Sequence, residues 1–379
     1  MLAMNLPSRP AWIEIDLAQL RRNFDLINRD KPPALRILSV VKDEAYGHGA
    51  EKIARIAQAS GVTALAVSTL DEALRLRAAG IAGPLLLLGE RPEAELSVCV
   101  EENLTCCVHH EETARALDSL ANFRNRAVPV HVEIDTGMSR YGVRWTAALP
   151  LLKTIASTPS LILEGVMSHF ARSDEVDKTF ARLQASRFQE VLATLNAAHL
   201  KVPLRHLCNS GGFLDLPEAH FDMVRIGLLP LGVYPSQTCR RIDGIQPIMT
   251  VKTKIASVQN LQPGDTVGYG MRYVAKSPRR IAVLPLGYGD GFPRVRNEGA
   301  VLVHGRRAPL VGSVSMDAIT VDVTDIPSAQ LWDEVVVMGR QGGEEISVHE
   351  IAALKKSVSY DVLTNWRWRL PRVYLGGNS

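Results

Sequence analysis

Residues 37–49 read ILSVVKDEAYGHG. The first five are apolar or β-branched and predict a short buried strand, while Gly47 and Gly49 mark a turn soon afterwards. Lys42 stands where the strand ends, and an amine held there in a desolvated site can form a Schiff base. A lysine before a glycine turn is more often a surface residue that caps a strand. The rest of the chain has to decide between these two interpretations.

Seven further runs of the same kind follow, separated by stretches with helical periodicity. They are Thr63–Val67, Leu85–Leu88, Leu104–Val108, Val130–Ile134, Leu163–Met167, Leu204–Cys208 and Met223–Ile226. About eight strands alternating with helices predict an α/β fold whose N-terminal domain is a (β/α)8 TIM-like barrel. A doubly wound open sheet is the alternative fold, and it is weakened because no GxGxxG motif opens a helix.

A cluster of prolines and glycines between residues 228 and 247 predicts a domain boundary, with a barrel domain over residues 1–240 and a second domain over residues 241–379. Short alternating runs predict that the second domain is mainly antiparallel β, and we expect a first strand near residues 10–17 to pair with it. These runs are 249–255, Ile281–Leu284, Ala300–Val303, Leu310–Val314, Thr320–Val323 and Glu334–Met338. A capping box of Ser347 and Glu350 predicts a helix that carries Ile351, Leu354 and Val358 inward and delivers Tyr360 just past its end.

The composition restricts the class of protein. Of the 379 residues, 46% are hydrophobic and 22% are charged, which is typical of a globular protein with large cores. A net charge of +3 without a basic run predicts no nucleic-acid partner. The five cysteines form no CxxC motif, which favours reduced thiols in a cytoplasm, and the absence of a signal peptide or an apolar span predicts an unexported protein without a membrane partner. No metal site is predicted.

Barrel enzymes carry their chemistry at the carboxyl ends of the strands. Here those ends carry Lys42, Ser68, His109, Asp135, His169, Asn209 with Ser210, and Arg225. An arginine inside an apolar run, such as Arg225, needs a partner or a ligand because burying its charge is costly. Two interpretations remain open for each of three further sites. Arg140 either binds a carboxylate of a ligand or pairs with Glu133 or Asp135, and His169 is either a ligand-binding or a core histidine. The segment Asn209-Ser210-Gly211-Gly212 either binds phosphate or caps a helix.

Several ordered motifs extend this pattern over nearly the whole chain. They are Val41-Lys42 with Tyr46-Gly47-His48-Gly49, Asp135-Thr136-Gly137-Met138 with Arg140, Ser168-His169-Phe170, Asn209-Ser210, Val224-Arg225 with Gly227, Gly268-Tyr269-Gly270, Leu284-Pro285-Leu286-Gly287-Tyr288 with Asp290-Gly291, Ser315-Met316-Asp317, and Tyr360 followed by Leu370-Pro371-Arg372. In this order they resemble the alanine racemases of the fold-type III family, which depend on pyridoxal 5'-phosphate (PLP). That family joins a PLP-binding barrel to a C-terminal β domain.

The resemblance implies a role for each matching residue. Lys42 holds PLP and serves as the base for the D-enantiomer, while Tyr269 serves the opposite face for the L-enantiomer. His169 and Arg225 lower the pKa of that tyrosine, and Arg225 also meets the pyridine nitrogen, which disfavours a long-lived carbanion intermediate. The other implied cofactor-binding residues are Tyr46, Asn209, Ser210, Gly227, Leu228 and Tyr360.

The resemblance also implies how the substrate is bound and by how many subunits. Arg140 meets the substrate carboxylate and the cofactor phenolate, Met316 offers its backbone N–H to that carboxylate, and Tyr288 narrows the entrance. Tyr269, Tyr288 and Met316 come from the partner subunit in the family, so a homodimer with shared active sites is implied. The implied function is that of a cytoplasmic isomerase that interconverts L- and D-alanine and supplies D-alanine for peptidoglycan.

The chain departs from the family at several positions. Asp43 and Glu44 follow the lysine where the family usually has Ala and then Asn or Asp, and we expect them to face away from the cofactor. Glu133 replaces a lysine that is carbamylated in many relatives, so we expect its carboxylate to orient Arg140 directly. Ser313 replaces an entrance arginine that relatives often have, which keeps serine or another small amino acid open as a substrate.

Two other functions agree less well with the sequence than the racemase. A fold-type III amino acid decarboxylase is disfavoured by Tyr269, by Arg225 and by the lack of a Cys-Asp motif like that of the decarboxylases. A PLP-binding carrier without catalysis is disfavoured because such proteins tend to be the barrel alone.

Overall fold

The computed structural model describes residues 9–377, which fall into two compact units. The sheet unit comprises the chain up to Leu20, Tyr46–Gly49, and the chain from Gln246 onwards. The barrel unit comprises Arg21–Ala45 and Ala50–Ile245. The described chain begins with strand β1 (Ala11–Asp16) of the sheet unit and continues into helix α1 (Leu17–Asp30).

The strands of the barrel unit are parallel and form one sheet. They are β2 (Arg36–Val40), β3 (Ala64–Val67), β4 (Leu85–Leu87), β5 (Thr105–Val108), β6 (Val128–Asp135), β7 (Val143–Arg144), β8 (Leu161–Met167), β9 (Leu204–His206) and β10 (Met223–Ile226). The order is β10-β2-β3-β4-β5-β6-β8-β9, with the short β7 paired to β6. Backbone hydrogen bonds from Asp222 to Arg205 and from Arg225 to Cys208 link β10 to β9. The predicted eight-stranded barrel is confirmed, and the open doubly wound sheet is wrong.

Helices connect these strands, as the apolar periodicity predicted. They are α2 (Lys42–Gly47), α3 (Ala50–Ala59), α4 (Leu70–Ala78), α5 (Glu93–Glu101), α6 (Glu111–Phe123), α7 (Ala148–Ser157), α8 (Thr179–Ala197) and α9 (Ser210–Asp215), with short 3-10 turns at Trp145–Ala147, Pro217–Ala219 and Leu229–Leu231. Helix α6 shows the usual pattern, because Ala114, Leu117 and Ala121 fall on one face and are buried. Across residues 9–377, no helix is long and apolar enough to cross a membrane.

The sheet unit is mainly antiparallel, as predicted. Its remaining elements are β11 (Met249–Lys254), β12 (Ser257–Leu261), β13 (Thr266–Val267), β14 (Tyr273–Val274), β15 (Arg279–Leu284), β16 (Ala300–Val303), β17 (Arg306–Pro309), β18 (Ile319–Asp322), β19 (Glu334–Gln341), β20 (Glu344–Ile346), α10 (Val348–Lys355), α11 (Ser359–Asn365) and β21 (Arg372–Leu375), with 3-10 turns at Tyr269–Met271 and Tyr288–Asp290. The larger sheet has the order β17-β16-β19-β11-β1-β21. Strand β1 therefore pairs antiparallel with β11 on one side and parallel with β21 on the other.

Two local predictions in this unit are wrong. Residues 310–314 do not form a strand, because Gly312 has a φ of +78°, and the strand lies instead at Arg306–Pro309. Helix α10 ends at Lys355, and the left-handed conformation of Lys356 turns the chain. Val358 is consequently 58% exposed rather than buried, and Tyr360 lies inside the next helix, α11.

Candidate active site

Lys42 follows the end of β2, at the carboxyl edge of the barrel strands, and its side chain is half-buried. Burial lowers the pKa of its amine, and the positive charge of Arg140 lowers it further, while Glu72 and Asp43 oppose the shift. The neutral amine is the form that attacks an aldehyde or accepts a proton, so this environment favours chemistry at Lys42.

The backbone after Lys42 is unusual. Asp43, Glu44, Ala45 and Tyr46 have φ values of +49°, +53°, +50° and +55°, so α2 is one turn of left-handed helix built from residues that are not glycine. This conformation costs about 1–2 kcal/mol per residue because Cβ approaches the following carbonyl oxygen. Such strain persists only where surrounding contacts fix it, and it clusters at functional sites.

Glu72, on the first turn of α4, supplies those contacts. Its Oε1 accepts the backbone N–H of Asp43 at 2.6 Å, and its Oε2 accepts the N–H groups of Ser68 and Thr69 at 2.8 and 3.0 Å. Glu44 adds a second anchor, because its Oε2 accepts the N–H of Ala50 at 3.1 Å. The carboxylate of Glu44 is thus occupied by a backbone N–H, and the side chain of Asp43 is exposed. Despite these two nearby carboxylates, the surroundings as a whole lower the pKa of Lys42.

Arg225 is buried in β10 and donates from both terminal nitrogens of its guanidinium. Nη2 donates to Nδ1 of His169 at 3.0 Å and to the carbonyl of Ser168 at 2.7 Å, and Nη1 donates to Nδ1 of His206 at 3.0 Å. Burial, followed by the charges of Arg225, Arg140 and Lys42, holds the pKa of His169 well below its usual range. His169 is therefore neutral, and because Nδ1 accepts from an arginine, its ring proton resides on Nε2.

A column of polar side chains continues from Arg225 through the barrel core. His206 and His131 lie 2.8 Å apart (Nε2 to Nδ1), and Nε2 of His131 lies 3.0 Å from Oε2 of Glu164. Arginine can only donate and an ionised carboxylate can only accept. Each imidazole therefore accepts a hydrogen bond from the side nearer Arg225 and donates one on the side nearer Glu164. Gly165 makes room for this column, because a Cβ there would lie 2.8 Å from the ring of His131.

Arg140 lies on the loop after β6, and its guanidinium is exposed. Its charge reaches Lys42, His169 and Arg225 strongly enough to affect the pKa of each. The expected contact between Glu133 and Arg140 is wrong: Oε2 of Glu133 lies 3.2 Å from Nε2 of His109. Glu133 lies within β6 and is buried. Arg140 lies on the loop that follows β6, after a turn at Ser139, where φ is +56°.

The residues expected to bind phosphate form two local groups, one in each unit. In the barrel unit, the N–H of Gly227 donates to Oγ of Ser210 at 3.3 Å, and Asn209 caps α9 by accepting from Gly212 at 3.0 Å. Leu228 continues the chain from Gly227 and is buried. In the sheet unit, the rings of Tyr46 and Tyr360 meet edge to face at 6.1 Å.

Within the sheet unit, the segments carrying Tyr269, Tyr288 and Met316 come together. The N–H of Gly289 donates to the carbonyl of Met316 at 2.8 Å, and a Cβ at Gly287 would lie 2.5 Å from the same oxygen. Oγ of Ser313 approaches the carbonyl of Tyr269 at 3.4 Å. Tyr269 is 77% exposed and Met316 is 51% exposed.

Two residues that support these side chains, Glu72 and Asp290, were not predicted from the sequence. The sequence signal for Glu72 is limited to a Thr-x-x-Glu capping box with Thr69, and its contact with Asp43 has no sequence signal. Asp290 follows Tyr288 in one of the family motifs, and no role was predicted for it. It is fully buried, accepts from the N–H of Gly287 at 3.0 Å and pairs with Arg9 at 2.6 Å, so it fixes the turn that bears Tyr288.

Known proteins resemble the chain over nearly all of its length. The family model "Alanine racemase, N-terminal domain" matches residues 15–235, and "Alanine racemase, C-terminal domain" matches residues 248–374. An alanine racemase of Syntrophobacter fumaroxidans is 45% identical over 354 residues, covering 93% of this chain and 94% of the relative. One from Halothermothrix orenii is 39% identical over 368 residues, covering 97% of each.

Solved structures agree with these matches. The alanine racemase of Streptomyces lavendulae, a producer of D-cycloserine, superimposes with a TM-score of 0.93 at 33% identity and covers 98% of both chains. That of Clostridium difficile 630 gives a TM-score of 0.92 at 31% identity, covering 99% of this chain and 97% of the other. With both family models and close relatives spanning its two units, the chain belongs to the alanine racemase family, whose curated members are isomerases.

Proposed function

We propose that this protein interconverts L- and D-alanine with PLP as its cofactor, using Lys42 and Tyr269 as two bases. The observation that carries the proposal is the grouping of Lys42, Arg140, His169 and Arg225 in the barrel unit, in which the pKa of the Lys42 amine is lowered. An amine that is easily neutral beside two guanidinium groups suits a cofactor with an aldehyde and several anionic oxygens.

The residues present fit PLP. Arg225 directs Nη1 and Nη2 at neighbouring groups, and none of its hydrogen bonds within residues 9–377 uses Nε, which can donate to a ring nitrogen. Within the barrel unit, Ser210 and the backbone of Gly227 and Leu228 offer donors for a phosphate. By the family resemblance, Tyr46 and Tyr360 of the sheet unit are also assigned to the phosphate. When bound, PLP withdraws electrons from the bond between Cα of the substrate and its hydrogen, so that this proton can be removed.

Racemisation requires a proton to leave one face of Cα and to return on the other. Nζ of Lys42, as a neutral amine, would exchange the proton on one face. The phenolic oxygen of Tyr269 exchanges it on the opposite face. We assign Tyr269 to a partner subunit by the family resemblance, and its exposure supports this assignment because the hydroxyl is accessible to another chain.

Neutral His169 supports the tyrosine. Its ring proton on Nε2 can donate to a phenolate oxygen, while Nδ1 is held by Arg225. Arg140 receives the substrate carboxylate, together with the backbone N–H of Met316, and Tyr288 narrows the entrance.

We propose a cytoplasmic homodimer that supplies D-alanine for peptidoglycan. Five buried free cysteines support a reducing compartment. The segments that bear Tyr269, Tyr288 and Met316 pack closely together, so these residues form one preorganised surface. Such a surface supports the proposal that a second subunit binds all three residues together.

The decisive experiment is to purify the protein with added PLP, to record its visible absorbance, and to measure D-alanine formed from L-alanine. We expect bound cofactor and racemisation in both directions. Lys42→Ala should lose the absorbance of Schiff-base PLP, and Tyr269→Phe should keep it while losing racemisation by about two to four orders of magnitude. A colourless protein that takes up no PLP, or undiminished activity of Tyr269→Phe, contradicts the proposal. Serine should be tested in parallel as a second substrate. Ser313 replaces the entrance arginine of many relatives, and this change could broaden the range of amino acids that enter.

A further inference from the structure

A second cluster of ionisable groups lies in the barrel unit, and the proposed mechanism does not use it. The imidazole of His109 lies between two carboxylates, with Nδ1 2.9 Å from Oε2 of Glu90 and Nε2 3.2 Å from Oε2 of Glu133. The backbone N–H of His109 donates to the same oxygen of Glu90 at 3.0 Å. His109 and Glu133 are only 4% and 5% exposed. Both ring nitrogens thus face an acceptor, which requires both to carry protons.

The imidazole is consequently charged. Burial opposes the charge, but the hydrogen bonds to Glu133 and Glu90 outweigh burial and raise the pKa of His109 to about 9. A buried charge with hydrogen-bonded partners on both sides is a rigid arrangement, because moving either carboxylate leaves the imidazolium unsatisfied. His109 is the residue after β5 and Glu133 lies in β6, so the cluster fixes two neighbouring strand ends to each other.

The cluster connects directly to the loop that bears Arg140. The ring of Tyr141 stacks on the ring of His109, with centroids 5.6 Å apart and planes inclined by 21°. Gly142 brings the loop back to β6, where a Cβ would lie 2.8 Å from the carbonyl oxygen of Glu133. Arg140 itself makes no ion pair or side-chain hydrogen bond that could fix it within residues 9–377. Its position therefore depends on its neighbours in the loop.

We propose that Glu90, His109 and Glu133 are positioning residues for Arg140, and that they act through the ring of Tyr141, which they hold in place on a charged imidazole. This inference rests on the proposed function, in which Arg140 receives the substrate carboxylate. An exposed guanidinium binds a carboxylate well only if its backbone is already in place, because otherwise each binding event must order the loop. The cluster supplies that order without touching the substrate.

The test uses the PLP-loaded enzyme and two variants of different kinds. Tyr141→Ala removes the stacked ring from a residue that is 51% exposed, so the barrel should still fold. Glu133→Gln removes the buried carboxylate, and Glu133→Asp restores the charge with a shorter side chain. Tyr141→Phe keeps the ring, and His110→Gln changes an exposed histidine next to the cluster. KM and kcat for alanine are measured, together with the Kd of propionate, which has the carboxylate of alanine without the amine.

We expect Tyr141→Ala and Glu133→Gln to raise KM and the propionate Kd about five- to tenfold, with kcat within about twofold and PLP uptake unchanged, since uniform binding is lost rather than transition-state stabilisation. Glu133→Asp should recover part of the loss, and Tyr141→Phe and His110→Gln should match the wild type. An unchanged propionate Kd in Tyr141→Ala, or a fall in kcat that equals the rise in KM, overturns the proposal. Propionate binding requires no turnover, so a wild type that binds propionate without racemising alanine contradicts the proposed function alone.

Discussion

Arg225 and His169 share a hydrogen bond of 3.0 Å between Nη2 and Nδ1, and this bond determines where the proton of the neutral imidazole resides. The same guanidinium holds His206 through Nη1 at 3.0 Å, so one side chain orders two histidines on neighbouring strands. Because arginine is planar and donates in fixed directions, lysine cannot reproduce this arrangement.

Arg225→Lys should therefore destabilise the protein although the charge is kept. We expect a loss of about 2–4 kcal/mol in the free energy of unfolding, since buried acceptors lose their donors. Urea unfolding measures this loss. Arg182→Lys is the matched control, because that arginine is paired with Glu218 on the surface and should change stability by less than about 1 kcal/mol. Equal stability of the two variants would show that the histidines are ordered without Arg225.

Gly165→Ala should disturb the polar column. The added Cβ would lie 2.8 Å from the ring of buried His131, which has no room to retreat between Gly165 and His206. Overpacking of this kind costs about 1–3 kcal/mol. Gly343→Ala is the control, because nothing lies within 4 Å of the Cβ position there. The two variants are compared by the midpoint of thermal unfolding. If Gly165→Ala is as stable as the control, the side chains around Gly165 can move aside to accommodate the added Cβ.

Glu72→Gln should loosen the turn after Lys42. The amide keeps one acceptor where the carboxylate serves Asp43, Ser68 and Thr69, so a backbone N–H is left facing an NH2 group. We expect the free energy of unfolding to fall by about 1–3 kcal/mol. We also expect slower uptake of PLP at Lys42, which can be measured from the visible absorbance of the bound cofactor. Glu51→Gln, which breaks an exposed pair with Arg55 on α3, should change neither quantity. Unaltered uptake in Glu72→Gln would contradict the role of Glu72.

Stability should depend on pH through His109. Its pKa is about 9 in the folded protein and about 6.5 in an unfolded chain, so its contribution is fully present below pH 6.5 and is lost as the pH rises through 9. The difference corresponds to roughly 3 kcal/mol. Urea midpoints between pH 6 and pH 10 should fall for the wild type and should fall less for His109→Gln, which cannot titrate. His110→Gln should follow the wild type, and parallel curves for all three proteins would argue against a charged His109.

The barrel could be predicted from the sequence because its strands are buried on both faces and read as apolar runs with polar ends. Arg306–Pro309 could not be predicted in the same way. Two arginines and a proline suit an edge strand that is mostly exposed, and its pairing with β16 depends on tertiary contacts. The neighbouring apolar run from Leu310 misled the prediction, since only the conformation of Gly312 shows that the chain bends there.

For the candidate site, the sequence could indicate which residues lie together but not which atoms they contact. Strand ends identify residues that one edge of a barrel brings together, and this placed Lys42, His169 and Arg225 on the same edge. Hydrogen-bond partners are not determined by strand order, so Glu133 was expected beside Arg140 and lies beside His109. No residue type in Asp43-Glu44-Ala45-Tyr46 indicates a left-handed turn, because their conformation is imposed from outside.

The left-handed turn also has a consequence for the order in which the protein assembles. A free chain disfavours four such residues in succession, so we expect the turn to form only after β2 and the start of α4 have docked and brought Glu72 to Asp43. In that order of events the amine of Lys42 reaches its desolvated setting late in folding. Before that point it is an ordinary solvated lysine, mostly protonated and a poor nucleophile, so under the proposed function attachment of PLP would mark barrels that have finished folding.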